Sequence, residues 1–169
     1  MRSKTANTVL CTEVLEHVGD PDRLLREIRR VMMDSGTLIL SAPFFEPLHE
    51  EPYDFTRFTA YGLRTFVERA GFRVLRVSAR GGWWSVVLCS LVGQALYDAV
   101  APRRGVRRRT SAIVVVLPMI TGLQLLALLL DRLLPVGRVV IGHLVVAEPD
   151  QGADRGARLP NADWRAPNG

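Results

Sequence analysis

The chain has 169 residues, 48% of them hydrophobic and 23% charged, which fits a globular protein and excludes a disordered or collagen-like one. Two cysteines are too few for a disulfide framework, and no charged segment followed by an apolar one opens the chain as a secretory signal would, so a reducing, cytoplasmic compartment is expected. The formal net charge of +5 is local: five arginines crowd between Arg103 and Arg109 without the interleaved aromatics of a base-stacking surface, and no nucleic-acid partner is expected.

Thr8-Val9-Leu10-Cys11-Thr12 is a short apolar run that reads as a buried strand and leads at once into Glu13. Asp20 as N-cap, Pro21 at the first helical position and Asp22 in the positive first turn predict a helix. Its Leu24, Leu25, Ile28, Val31 and Met32 recur at helical spacing, and Gly36 is its expected stop. Leu38 to Ala42 is a second apolar strand, broken by Pro43. From Phe44 to Phe58 aromatic, acidic and proline residues mix without a period, which predicts a loop. Thr59 caps a second helix with Leu63, Phe66, Val67 and Ala70 on one face, and Gly71 ends it before a strand from Phe72 to Ser78. This βαβαβ order predicts an α/β fold with a largely parallel sheet, whose ligands bind outside the carboxyl ends of the strands. Chemistry is therefore expected after Cys11 and after Ala42.

Beyond Gly82 the character changes. Trp83 to Tyr97 is apolar and uncharged, the arginine cluster follows, and Thr110 to Leu130 carries no charge over a length that would span about 30 Å as a helix. A single membrane span would strand the returning segment Val139 to Ala147 on the wrong side of the bilayer. Two spans would put Arg103, Arg104, Arg107, Arg108 and Arg109 on the far side, against the positive-inside rule. Pro118, Gly122 and Gln124 also weaken a simple helix. The pattern fits an interfacial hairpin or lid, peripheral at the inner face of a membrane, with Trp83 and Trp84 as anchors and Arg103 to Arg109 toward anionic headgroups. The plainer reading is a pair of helices that cover the sheet or a dimer partner. The expected organisation is a core over 1–80, an apolar helical insert with a basic turn over 81–135, a returning strand over 136–148 and a disordered tail over 149–169.

Glu13, Glu16 and His17 place two carboxylates and an imidazole at the end of the first strand. The run from Val9 to Val18, with Asp20-Pro21, Leu25 to Val31 and Leu38 to Pro43, resembles the second half of class I S-adenosylmethionine-dependent methyltransferases, above all the type 11 group. The resemblance covers about Thr8 to Ser78 plus the returning strand. It implies a Rossmann-like methyltransferase sheet of which this sequence holds the C-terminal half only, strands four to seven, with the apolar helical insert before the last strand. The family's Gly-rich cofactor loop would lie upstream of Thr8, and the chain contains no Gly-x-Gly, so the sequence is expected to be N-terminally truncated, inactive alone, and to expose its first strand as an apolar edge.

The resemblance implies methyl transfer from S-adenosylmethionine to a small-molecule or lipid-linked acceptor. Glu13 and His17 are then the candidate catalytic residues, and Cys11, Thr12 and Glu13 the candidate cofactor contacts. A similar Glu-x-x-Glu-His group binds a divalent cation in related methyltransferases, which makes Glu13, Glu16, His17 and His49 candidate metal ligands, although the same group also occurs as scaffolding. His49, Tyr53, Asp54 and Arg57 fit a lid over the acceptor. His143 and both cysteines are read as core residues. The alternative to an enzyme is a membrane-associated or partner-binding module built on the same fold.

Overall fold

Asp20 begins the first helix as its side chain dictates: in the computed structural model, which describes residues 3–96, 106–136 and 139–152, its Oδ1 accepts a hydrogen bond from the Arg23 amide at 2.9 Å. Helix α1, Pro21–Val31, buries Leu25 and Ile28. It ends earlier than its apolar spacing predicts. Met32 is extended and fully buried at the start of a strand, because pairing with Ala6 and burial in the core outweigh one more residue of helical spacing. Gly36 is therefore not the helix stop. It lies within that strand, where a Cβ would stand 2.8 Å from the carbonyl oxygen of Asn7, so the glycine lets two backbones approach.

Strand β1, Ala6–Thr12, pairs in parallel with β2, Met32–Pro43, in a register that sets Val9 against Leu38 and Thr12 against Ser41. Thr59 Oγ1 accepts from the Gly62 amide at 3.0 Å and caps α2, Ala60–Arg69; Gly71, at φ +88°, turns the chain into β3, Phe72–Arg80. The last strand, β4, is Gly142–Pro149, and the sheet order is β1-β2-β4-β3. β4 lies antiparallel to β2, with Leu38 opposite Ala147 and Pro43 opposite Gly142, so the sheet is mixed where alternating strands and helices predict a largely parallel one. β4 arrives after an insert with two helical segments, not the single crossover helix that joins neighbouring parallel strands. β1 is an edge, as expected, and its Leu10 is 68% exposed. Leu25, Leu38, Leu40, Leu63, Val67, Phe72 and Val145 form the core between sheet and helices.

The chain divides into two units. The first holds the sheet with α1 and α2: residues up to Phe44, Leu48–Ala79 and those from Gly142. The second comprises Phe45–Pro47 and Arg80–Ile141. In it α3, Trp83–Ser85, continues as a wider π-helix over Val86–Gly93, and α4 runs over Val106–Leu133. Asp131 joins the two helical segments: its carboxylate accepts from the amides of Gly82, Trp84 and Ser85 at 2.9, 2.9 and 3.2 Å and from Ser85 Oγ at 2.5 Å. α4 continues through Pro118, Gly122 and Gln124, contrary to the sequence expectation. Proline removes a single amide donor, and the helix is long enough on both sides to absorb that loss. Among the described residues no helix is long and apolar enough to cross a membrane. The turn with Arg103 and Arg104, and all but the first four residues of the tail expected over 149–169, lie outside the described residues; of those four, Pro149 is the last residue of β4.

Candidate active site at the carboxyl end of β1

β1 ends by turning sharply. Glu13 takes φ +50°, its amide donates to the Ser41 carbonyl at 3.1 Å, and its Oε1 accepts from Ser41 Oγ at 2.6 Å. The turn feeds a short 3-10 helix, Leu15–His17, in which Leu15 is anchored in the core. Glu16 is carried inward with it.

Glu16 is completely buried, and neither of its carboxylate oxygens has a hydrogen-bond partner among the described residues. Burial, followed by the charge of Glu13, pushes its pKa above the usual glutamate value. Its backbone carbonyl accepts from the Phe55 amide at 2.8 Å, tying the turn to the loop after β2. His17 makes a second tie, with Nδ1 2.7 Å from the Tyr53 carbonyl oxygen. A carbonyl can only accept, so Nδ1 carries the proton and Nε2 keeps its lone pair in the neutral ring. That Nε2 lies 3.8 Å from Glu16 Oε1.

His49 stands edge-on to His17, ring centroids 4.9 Å apart. Behind it Asp54, whose side chain is 1% exposed, accepts from the His49 amide at 3.0 Å and sits 3.6 Å from His49 Nδ1. Arg57 grips the same carboxylate with two nitrogens, Nη1 on Oδ1 and Nη2 on Oδ2 at 2.7 Å. That guanidinium holds Asp54 well below the ordinary carboxylate range.

Of the four candidate metal ligands, Glu16, His17 and His49 come together, each offering a ligand atom within 4.8 Å of the others. Glu13 does not join them, because Ser41 holds its carboxylate at the end of β2. Among the other candidates Cys11 is buried, its thiol pushed up mainly by burial and then by Glu16, and Thr12 is exposed. The Tyr53 ring is exposed, and the residue reaches the cluster through its carbonyl instead. His143 packs against Phe44 in the sheet unit, and burial lowers its pKa. Ser41 escaped sequence reasoning. The signal for it is the parallel pairing, which puts it opposite Thr12 at the common strand end. An open cleft of about 470 Å³ lies away from this cluster, lined by Lys4, Arg26, Arg29 and Arg30, and three of these cations are already bound to Asp34 or Glu27.

Residues 1–40 match the family model for a methyltransferase domain. No curated protein matches the chain. Among solved structures the [4+2]-cyclase SpnF is 16% identical with a TM-score of 0.52, over 89% of this chain and 53% of that one. The Galdieria sulphuraria protein assigned as a sarcosine dimethylglycine methyltransferase is 12% identical with a TM-score of 0.50, over 89% and 55%. The chain thus spans about half the length of these structures. The first 40 residues are thus similar to a methyltransferase domain, and the chain shares the Rossmann-like fold of these structures. A cyclase on the same fold is a reminder that architecture alone does not name the reaction.

Proposed function

We propose, from a chain whose first 40 residues match the methyltransferase domain and whose sheet shares that fold, that the whole protein transfers a methyl group from S-adenosylmethionine to a small-molecule or lipid-linked acceptor. The observation that carries this reading is the His17 imidazole, whose Nδ1 is tied to the Tyr53 carbonyl and whose Nε2 is left to take a proton beside a buried carboxylate. Transfer from a sulfonium is an in-line displacement, so the protein contributes chiefly alignment and a base. For a hydroxyl acceptor the oxygen forms the new bond to the methyl carbon as the carbon–sulfur bond breaks. The acceptor's proton passes to His17 Nε2.

S-adenosylmethionine supplies the electrophilic methyl group; Cys11, Thr12 and Glu13 at the carboxyl end of β1 are the residues suited to flank it. The Ser41 hydrogen bond fixes the Glu13 carboxylate there. The segment with His49, Tyr53, Asp54 and Arg57 would cover the acceptor and exclude water, with the Asp54–Arg57 fork giving it a rigid base.

A second reading concerns a metal and is favoured by one observation: the fully buried Glu16 carboxylate has no hydrogen-bond partner among the described residues. Glu16, His17 and His49 would hold a divalent cation. Two imidazoles with one carboxylate suit Zn²⁺ or Mn²⁺ better than Mg²⁺, and such an ion would acidify an acceptor hydroxyl.

The test is titration of S-adenosylhomocysteine into the protein expressed from its full reading frame, followed by methyl-transfer assays. Binding is expected. His17→Ala and Glu13→Gln should lower turnover by about 10²–10⁴-fold while the melting temperature falls by no more than about 2–4 °C. Absence of binding refutes the reading, and unchanged turnover returns both residues to scaffolding. For the metal, Co²⁺ titration should raise a visible absorption band that Glu16→Gln and His49→Ala remove. A flat spectrum refutes that part alone.

A further inference from the structure

Over residues 117–133 the side of α4 that faces water is mostly apolar, with Thr121, Gln124 and Arg132 as its polar members. Successive residues turn by about 100°, and on that geometry the exposed Leu117, Leu125, Leu126, Leu128, Leu129 and Leu133 spread over about half the circumference. Leu125 and Leu133 are each 63% exposed. The opposite arc carries Ile120, Leu123, Ala127 and Leu130, which are half-buried or buried within their own unit. A helix of a water-soluble domain puts charge on its outer face, whereas one that is apolar all round is covered by something.

Charge identifies the cover. From Ala99 to Leu130 the sequence holds five arginines and no acidic residue, and Arg107, Arg108 and Arg109 fall in the first turn of α4. The acid that ends this stretch, Asp131, is turned into the amides of Gly82, Trp84 and Ser85 and leaves the outer face without a negative group. Near that capping contact Trp83 is partly exposed, an aromatic of the kind that settles at headgroup level. No described helix is long and apolar enough to cross a bilayer, so the face lies along one. We infer that the outward face of α4 rests on an anionic lipid surface, its leucines in the acyl boundary and the arginine-rich start of the helix among the headgroups. A second copy of the chain packed through the same face fits less well, since that face offers no acidic group to the arginines.

The experiment is flotation of the 169-residue chain with vesicles of phosphatidylcholine alone or of equimolar phosphatidylcholine and phosphatidylglycerol. Binding is expected to be at least about tenfold stronger to the anionic vesicles and to weaken with salt. Replacing Arg103, Arg104, Arg107, Arg108 and Arg109 by glutamine should reduce it by at least about a hundredfold. The triple change Leu125→Ser, Leu129→Ser, Leu133→Ser should abolish it, and because these side chains face water the circular dichroism spectrum should be kept. Equal binding to both vesicles, or flotation of the leucine variant, overturns the inference. So does sedimentation as a dimer without lipid that the leucine variant dissociates while no flotation occurs, which would assign the face to a second copy.

Discussion

His17 donates its Nδ1 proton to the carbonyl oxygen of Tyr53 at 2.7 Å, joining the turn after β1 to a loop 36 residues further along. The contact fixes both the position and the tautomer of the imidazole, and it uses the backbone of Tyr53 while the phenol ring stays in water. The loop side of the site is thus held by main-chain geometry.

Because of that division, Tyr53→Ala should change stability by less than about 0.5 kcal/mol, as surface substitutions do. His17→Ala removes a hydrogen bond between turn and loop and should cost about 1 kcal/mol. Urea denaturation of the two variants measures the difference; equal effects would place the phenol ring, and not the carbonyl, in the contact.

Asp54→Asn should be more damaging. It removes the negative partner of Arg57 and His49 from a buried position, at a cost of about 1.5–3 kcal/mol for a hydrogen bond to a charged group. The carboxyl's pKa is depressed on folding, so its contribution is complete above the unfolded value of 3.8 and is lost as pH falls below it. The gap between wild type and variant should accordingly narrow on acidification below that value, as followed by thermal unfolding across acid buffers.

Glu16→Gln should act in the opposite direction. The pKa of Glu16 is raised on folding, so its share of stability is complete below the unfolded value of 4.5 and is lost as pH rises through the folded one. At neutral pH, in buffer with a chelator, the glutamine variant should melt higher than wild type, and the two should converge below about pH 4.5. A variant that melts lower at neutral pH would mean that the carboxylate has a partner in solution.

Asp131→Ala tests the second unit. Four donors converge on that carboxylate, and its loss removes the cap of the helix that begins at Trp83, a change worth about 0.5–2 kcal/mol. Amide hydrogen exchange should accelerate across residues 83–93 while the β1 to β4 ladder keeps its protection. Uniform acceleration throughout the chain would show that the two units unfold together.

Much of the first unit was legible along the chain. Asp20, Thr59 and Gly71 act locally, through a side chain or a positive φ within three residues, so their effects are written in short sequence windows. The end of α1 was not, because Met32 answers to Ala6 and to the core, partners that no local window contains. The place of β4 was hidden for the same reason: its order and antiparallel direction depend on where the chain returns after the insert.

The site divides in the same way. Glu13, Glu16 and His17 stand together in the sequence, and their chemistry was plain from residue type and from their position at a strand end. Which of them share a cluster depended on tertiary pairing. Parallel register brings Ser41 to Glu13 and withdraws that carboxylate, while hydrogen bonds to the loop bring His49 to His17 and leave the Glu16 carboxylate buried with no hydrogen-bond partner among the described residues. Residue identity and short-range caps determined the elements and the kinds of group available. Only the folded chain, by setting which distant backbones share hydrogen bonds and which side chains lose water, decided how those groups meet.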